Sequence, residues 1–230
     1  MKPRTDYSAI AARYDGDRAM YTVGADPEVV AHGGTLVDVG CGTGTWLAAQ
    51  RVPRAIGIDP SAAMLRHVVG LAVVGRAEAL PLATASASWV ESRYCFHHFD
   101  DERAFFREAH RVLADGGVLR LVNVMPLEDP DFTLYDFFPE ARAVDERRWR
   151  RSDELVAWMK AEGFVDVTYS VASTTTRVAV DDYVAILRSR TISQLALIDD
   201  DAFARGVGRL AEMEGTITDS ATVWTFRARR

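Results

Sequence analysis

Thr35–Trp46, TLVDVGCGTGTW, is the stretch from which the fold can be predicted. It begins with an apolar run rich in β-branched residues, which is typical of a buried strand. Three glycines, Gly40, Gly42 and Gly44, follow, and then Thr45, which could cap a helix. A strand, a glycine turn and a helix N-terminus together expose bare backbone against which a ligand can lie. Glycine loops of this type occur at the carboxyl edge of a parallel sheet.

The rest of the chain alternates predicted strands and helices. Further strands are predicted at 55–58, 71–74, 89–94, 118–124, 164–171 and 222–228. Between them, Ser61, Asp100 and Ser152 are predicted to cap helices, and Gly116 and Gly117 to end the second of these. This βαβ alternation indicates an α/β fold with a parallel sheet wound on both faces.

Composition and charge restrict the class of protein. The 230 residues are 48% apolar, which suits one globular domain with local insertions. The sequence has no run of about 18 apolar residues, and its N-terminal stretch lacks the apolar centre of a secretion signal. A net charge of −6 argues against a broad nucleic-acid surface. Cys41 and Cys95 provide no disulfide framework, so we expect a cytoplasmic protein. From the lack of a long apolar run and the negative net charge, we expect neither membrane nor nucleic-acid partners.

Two segments interrupt the alternation. Residues 126–151 carry five aromatic side chains among acids and arginines: Phe132, Tyr135, Phe137, Phe138 and Trp149. Such an insertion either packs on the surface or lines a pocket. Residues 174–219 are predicted to be amphipathic helices. Near the N-terminus, Tyr7 and Tyr14 share a predicted helix face, which either packs on the domain or forms a flap over a ligand.

Asp59 and Asp38 are acidic residues placed at the ends of predicted strands, next to the glycine loop. Asp59 lies 19 positions beyond Gly40, a spacing close to that of a ribose-binding acid after a glycine loop. A carboxylate there could accept hydrogen bonds from both vicinal ribose hydroxyls. The alternative is a solvated acid, but the glycine loop favours ribose binding.

Five motifs in order resemble those of class I S-adenosylmethionine-dependent methyltransferases, in the small-molecule group (methyltransferase type 11) that includes quinone-biosynthesis enzymes. The motifs are VDVGCGTG (37–44), IGIDPS (56–61), GRAEALPL (75–82), YCFHHFDD (94–101) and RVLADGG (111–117). The resemblance implies a Rossmann-like, seven-stranded, mostly parallel sheet with an antiparallel last strand and helical lid insertions. It also implies methyl transfer to a small molecule, with S-adenosylhomocysteine as the product. The aromatic residues of the predicted flap and of 126–151 and 174–219 suggest that this molecule is aromatic or apolar.

The resemblance implies a set of cofactor-binding residues: Tyr14, Arg18, Asp38, Gly40, Cys41, Gly42, Gly44, Asp59, Pro60, Met64, Ala77, Glu78, Arg93 and Tyr94. Asp38 would bind the amino group of the methionine moiety, and Asp59 the ribose. Ala77 would offer its backbone N–H to the adenine, and Arg18 would pair with the carboxylate. One departure is Arg76, which stands where relatives often carry an acid.

His97 and His98 are the candidate catalytic residues, since they follow the fourth strand where the methyl group should lie. Histidine titrates near neutral pH, which suits removal of a proton from the acceptor. The alternative is that the pair packs structurally beneath the loop. His98 is preferred because the resemblance makes that position the more consistent histidine. No metal site is expected, because adjacent histidines point in different directions.

The predicted organisation is a single methyltransferase domain, monomeric or homodimeric. Its parts are an N-terminal helical flap (1–33), a cofactor-binding core (34–125), lid insertions (126–151 and 174–219) and the last strand (220–230). Two other functions stay open. A protein could bind the cofactor without transferring methyl, since the motifs would be the same. A nicotinamide-dependent oxidoreductase is less favoured, because its GxGxxG fingerprint would need the third glycine one residue later than Gly44.

Overall fold

The structure is a computed structural model that describes Tyr7, Ala11, Tyr14 and residues 33–230, except for the side chains of Thr174 and Ala221. Seven strands lie in this part of the chain: β1 (Thr35–Val39), β2 (Arg54–Asp59), β3 (Leu71–Val74), β4 (Ala87–Arg93), β5 (Leu113–Val124), β6 (Val165–Ala179) and β7 (Thr216–Arg229). They form one sheet in the order β3-β2-β1-β4-β5-β7-β6. β1 to β5 pair in parallel, and β7 runs antiparallel to both of its neighbours.

This topology confirms the predicted seven-stranded, mostly parallel sheet with an antiparallel last strand. It differs from the dinucleotide-binding order 3-2-1-4-5-6, because β7 is inserted between β5 and β6. β1 lies between β2 and β4, and Leu36, Val37 and Val39 are at most 1% exposed. A central parallel strand is covered on both faces, which explains why its sequence is nearly continuously apolar.

Eight helices lie in the described residues: α1 (Thr45–Ala48), α2 (Ala62–Leu65), α3 (Glu102–Val112), α4 (Leu134–Phe137), α5 (Pro139–Arg148), α6 (Ser152–Ala161), α7 (Val180–Arg188) and α8 (Asp200–Ala211). A 3₁₀ turn at Phe96–His98 follows β4. No helix in this part of the chain is long and apolar enough to cross a membrane.

The predicted helix caps are partly wrong. Ser61 caps α2 as predicted, accepting a hydrogen bond from the Met64 amide. The cap of α3 is Asp101 rather than Asp100, and its carboxylate accepts from the Ala104 amide at 2.9 Å. α1 begins after Gly44, and α6 after Arg151, each one residue earlier than predicted. Asp100 and Asp101 offer the same capping chemistry, and helix ends are generally uncertain by one residue in a prediction from sequence.

The end of α3 also differs from the prediction. Gly116 and Gly117 do not end the helix, which stops at Val112 and is followed directly by β5. Gly116 adopts a left-handed φ of 74° inside β5, in the region where the pairing of β5 with β4 shifts register. The two glycines therefore mark an irregular part of the strand, which is a common use of glycine within a sheet.

The predicted helical segment 174–219 is wrong at both ends. Residues 174–179 continue β6, and residues 216–219 begin β7, so the two strands pair continuously from Ala179↔Thr216 to Thr168↔Arg227. The local reason is composition, because these ends are rich in threonine and also carry Val178 and Ile217, and such β-branched residues favour extended backbone. Only α7, α8 and the chain between them are inserted into the hairpin.

Helices α4, α5, α7 and α8, with the residues that connect them, form a helical layer with its own apolar core. Phe138 is fully buried there and stacks on Phe203, and Phe132 packs edge-on against Tyr135. Gly206 contacts Phe138 so closely that a Cβ at this position would collide with the ring. Four of the five aromatic residues of 126–151 therefore pack within this layer. The separate main core lies between the sheet and helices α3 and α6.

Candidate active site

The glycine loop follows β1 at the carboxyl edge of the sheet. Gly40, Gly42 and Gly44 have φ values of 78°, 55° and 79°, which L side chains rarely adopt. A Cβ at Gly40 would also collide with the Sγ atom of Cys95. The Gly40 amide donates to the Ile58 carbonyl at 2.7 Å, which fixes the loop against the end of β2. The loop therefore needs glycine for its conformation and for its close contacts.

Asp59, at the end of β2, is held by backbone amides on both sides. The Gly42 amide donates to Oδ2 at 3.0 Å, and the Ser61 amide donates to Oδ1 at 2.8 Å. Burial raises the pKa of Asp59, while these two hydrogen bonds oppose the shift. The carboxylate is thus fixed in orientation, and each oxygen keeps a lone pair for a ligand hydroxyl.

Asp38 is a buried carboxylate at the end of β1, with 3% of its surface exposed. Burial and, next, the charge of Glu91 raise its pKa to about 8, although Arg93 and Arg120 act in the opposite direction. The described residues provide no hydrogen bond to this carboxylate. A buried acid of this kind is stabilised in its charged form by a cationic group. The ammonium group of an amino-acid ligand would fit this position.

A buried ion pair beside Asp38 was not predicted. Arg120 Nε lies 3.0 and 2.9 Å from the two carboxylate oxygens of Glu91, and both side chains are at most 1% exposed. The Trp89 indole N–H also donates to Glu91, at 2.9 Å. Asp38, Glu91 and Arg120 occupy neighbouring positions on β1, β4 and β5. The polar residues in strand β4 were the sequence signal for this pair, but Arg120 gave none.

The remaining candidate cofactor residues line the same edge of the sheet. Cys41 lies in the glycine loop, Pro60 follows β2, Arg93 ends β4 and Tyr94 follows it. Met64 is buried on α2, and Ala77 is buried in the turn after β3. Tyr94 has a positive φ of 53°, which marks the sharp turn out of β4.

Glu78 is engaged in contacts within the protein. Its Oε1 accepts a hydrogen bond from the Asp100 amide at 2.7 Å, and its Oε2 lies 3.4 Å from Arg76 Nε. Arg76 also pairs with the Asp100 carboxylate. Arg76, the residue that departs from the family pattern, therefore ties the turn after β3 to the start of α3.

Both cysteines are held as thiols. Burial raises the pKa of Cys95 to about 12, and it also raises that of Cys41. Cys95 Sγ lies 3.2 Å from the Val39 carbonyl, to which it donates. Cys41 Sγ lies so near Gly57 that a Cβ on Gly57 would be 2.7 Å from it. These contacts give the cysteines packing roles around the loop.

His98 lies in the 3₁₀ turn after β4 and contacts two distant side chains. Its Nε2 is 2.9 Å from the Tyr7 hydroxyl, and the two rings meet edge to face. Its Nδ1 is 3.3 Å from Arg148 Nη2. Tyr14 lies close by, with its ring 5.7 Å from that of Tyr7. Arg18 and most of the predicted flap lie outside the described residues.

His97 faces a different environment. It is 6% exposed, and its ring stacks on Trp149 with centroids 4.3 Å apart. Its Nε2 lies 3.4 Å from the Ser193 hydroxyl. His97 is thus enclosed by the helical layer, which agrees with the packing alternative for this residue.

The last turn of α5 supports both histidines and was not predicted as part of the site. Asp145 and Arg148 are fully buried there. The Asp145 carboxylate accepts from the Tyr135 hydroxyl at 2.8 Å and from the Trp149 indole at 2.9 Å. Burial raises the pKa of Asp145 to about 6. The only sequence signal was an acid and an arginine three residues apart in an aromatic segment.

A cavity of about 690 Å³ lies near the end of β5, away from the glycine loop. Its lining includes Leu127, Phe132 and Trp224 together with several charged residues. None of the candidate cofactor residues or histidines lines it. Its position therefore gives no support for an acceptor site beside His98.

The sheet topology and the glycine-loop site define a class I S-adenosylmethionine-dependent methyltransferase fold. Residues 37–121 match the methyltransferase domain family. This part of the chain is thus a methyltransferase domain, which confirms the resemblance to S-adenosylmethionine-dependent methyltransferases found in the sequence. The cofactor of this family is S-adenosylmethionine.

Three similar proteins illustrate the relationship. The chain is 35% identical over 134 residues to malonyl-[acyl-carrier protein] O-methyltransferase of Hahella chejuensis, covering 51% of this chain and 48% of that protein. It is 31% identical over 135 residues to the uncharacterized methyltransferase YcgJ of Bacillus subtilis, covering 54% and 53%. The crystal structure of YcgJ superposes with a TM-score of 0.63 at 21% identity, covering 86% and 92%.

The third similar protein is phosphoethanolamine N-methyltransferase 2 of Haemonchus contortus, in complex with S-adenosyl-L-methionine. It has a TM-score of 0.62 at 18% identity, covering 99% of this chain and 58% of that one. At this identity the likeness concerns the fold alone. The sequence matches span about half the length of the first curated relatives.

Proposed function

We propose that this protein transfers the methyl group of S-adenosylmethionine to a small molecule. The observation that carries the proposal is the pair of acids on either side of the glycine loop. Asp38 is buried without a hydrogen bond from the described residues, and Asp59 is held with lone pairs available. An amino-acid ammonium and a ribose diol are the groups that such carboxylates bind.

The residues at the sheet edge would divide the binding of this cofactor among them. Asp38 would pair with the ammonium and Asp59 with the ribose, while the glycine loop lets the ligand approach the backbone. Met64 and Ala77 would border the adenine. The bound cofactor supplies a sulfonium methyl group activated for displacement. The protein then has to align the acceptor and exclude water, and alignment alone can lower the barrier by roughly 7–11 kcal/mol.

We place the acceptor near His98, between the glycine loop and the helical layer. The proposal of an aromatic or apolar acceptor near His98 gains no support from the aromatic residues of 126–151. Phe137 and Phe138 pack within the helical layer, and Phe132 and Tyr135 line the cavity that lies away from the glycine loop. The O-methyltransferase and N-methyltransferase names of the relatives leave both acceptor atoms open. We therefore propose a small-molecule acceptor without specifying its reacting atom.

Calorimetric titration with S-adenosylhomocysteine, and with NADH and NADPH as controls, tests the cofactor assignment. We expect micromolar affinity for the first ligand alone. Preference for a nicotinamide would reopen the oxidoreductase alternative. A screen of small acceptors for S-adenosylhomocysteine production then tests transfer. Cofactor binding with no turnover across the screen would favour a binding protein instead of an enzyme.

The affinity for S-adenosylhomocysteine should increase with pH. The pKa of Asp38 in the free protein is about 8, and a bound ammonium favours the ionised carboxylate. Protons must therefore leave Asp38 on binding, and affinity should increase by roughly tenfold per pH unit from about pH 6 to pH 8. Calorimetry over this range measures the slope. Asp38→Asn should bind weakly with a flat profile, and an equally flat profile for the unmodified protein would contradict the assignment.

His98→Ala should slow methyl transfer by about tenfold while leaving cofactor affinity unchanged, because the variant loses one hydrogen bond beside the acceptor. His67→Ala provides the control, because His67 is an exposed histidine between α2 and β3, outside the proposed site. Initial rates and calorimetry on both variants separate the two effects. Full activity of His98→Ala would remove this residue from the mechanism.

A further inference from the structure

Arg148 connects the helical layer to His98. Its guanidinium is fully buried, and Nη2 lies 3.3 Å from His98 Nδ1 and 3.0 Å from the Ser193 hydroxyl. A guanidinium has only hydrogen-bond donors. In its contact with Arg148, His98 Nδ1 must therefore act as the acceptor and carry a lone pair.

The state of the other ring nitrogen follows from this contact. A neutral imidazole that accepts at Nδ1 carries its proton on Nε2. The Nε2–H group then donates to the Tyr7 oxygen, 2.9 Å away. Protonation of His98 would replace the accepting Nδ1 with N–H, break the bond to Arg148 and place two cations in contact.

Among the described residues, the charged and titratable groups that contact His98 favour its neutral state. Tyr7 lies on one side, His97 is adjacent in the chain, and Arg148 approaches from α5. The nearest acid on α5, Asp145, lies 3.9 Å from Arg148 Nη1 and accepts from Trp149 and Tyr135. His98 therefore faces a guanidinium at Nδ1, whereas a histidine base is usually oriented by a carboxylate there.

We propose that Arg148 is a positioning residue that fixes His98 as the neutral Nε2–H tautomer, so that His98 donates a hydrogen bond to Tyr7 and does not accept a proton at Nε2. The kinetic meaning of this arrangement rests on the proposed methyl transfer. The tautomer itself does not, because it is a property of the protein alone. In methyl transfer, Arg148 would act through His98 to orient the Tyr7 hydroxyl.

Nitrogen NMR of histidine-labelled protein tests the tautomer directly. The chain has five histidines, and His98→Gln assigns the signal of interest. We expect an unprotonated Nδ1 and a protonated Nε2 for His98, unchanged from about pH 8 down to about pH 5.5, one unit below the ordinary histidine pKa. An Nδ1–H tautomer, or an imidazolium forming near pH ~6.5, would overturn the proposal.

Variants then test whether Arg148 causes this state. In Arg148→Met, His98 should titrate with a midpoint near ~6.5, whereas Arg148→Lys should retain most of the effect. Arg142→Met is the matched control, since Arg142 is an exposed residue of α5 paired with Glu146. An unchanged His98 in folded Arg148→Met would overturn the proposal. If Arg148→Met does not fold, the tautomer of His98 measured in the unmodified protein still tests the proposal.

The two proposals can fail separately. An Nε2–H tautomer in a protein that binds no S-adenosylhomocysteine would support the role of Arg148 and contradict the proposed function. An Nδ1–H tautomer in an active methyltransferase would contradict the role of Arg148 and support the proposed function. If both proposals hold, Arg148→Met should also lose activity below about pH 6.5, with kcat reduced more than KM changes.

Discussion

Asp59→Ala should lower the affinity for S-adenosylhomocysteine by about 100-fold or more. Two hydrogen bonds from ribose hydroxyls to a charged acceptor are lost, each worth about 1.5–3 kcal/mol. The amides of Gly42 and Ser61 also lose their acceptor, so the glycine loop is less firmly held. Calorimetric titration at pH 8 measures the change.

The matched control for this substitution is Asp115→Ala. The Asp115 side chain is 98% exposed and lies far from the loop in the fold, at the start of β5. Its affinity should equal that of the unmodified protein. Asp59→Asn adds a second comparison, because an amide has a single oxygen and cannot accept from both backbone amides as the carboxylate does. Unchanged affinity in Asp59→Ala would disprove the ribose assignment.

Arg120→Met should reduce the free energy of unfolding by about 3–5 kcal/mol, because it leaves Glu91 charged and buried without its principal partner. Glu91 accepts two short contacts from Arg120 Nε, and the direction of its pKa shift, raised by burial, shows that charge is costly at this position. Urea unfolding at pH 8 followed by circular dichroism measures the loss.

Two further variants show whether this loss comes from the ion pair. Arg227→Met makes the same change at an exposed position paired with Arg120 across β5 and β7, and it should alter stability by less than about 0.5 kcal/mol. Replacing both partners in Glu91→Leu/Arg120→Met should be less destabilising than Arg120→Met alone, since the double variant removes the buried Glu91 charge that the single variant leaves without its principal partner. Equal losses in Arg120→Met and Arg227→Met would contradict the argument.

The central strands and the glycine loop were predictable because their physical requirements are local. A buried parallel strand needs apolar residues, and the left-handed turns at Gly40 and Gly44 need glycine. The antiparallel position of β7 came from the family resemblance. The helical ends of 174–219 were predicted wrongly because cross-strand pairing, a non-local interaction, decided the structure there.

The site was predictable in part for the same reason. Asp38 and Asp59 stand directly at strand ends next to the loop, so the order of the chain placed them together. Arg148 lies 50 positions from His98, and their contact depends on how α5 packs. Tyr7 likewise reaches His98 from 91 positions away. Periodicity describes one element at a time and therefore cannot reveal such pairs.

The self-contained core of the helical layer has a consequence for how this protein could diversify. Because Phe138 and Gly206 pack within that layer, exchanges among its residues are absorbed locally and need not disturb the turns that follow β1 and β2. Selection could therefore alter the chemical preferences of one half of the molecule while the other half keeps its ligand. A graft of residues 180–215 from a relative, retaining the contacts around Ser193, is a practical starting point for redirecting substrate choice.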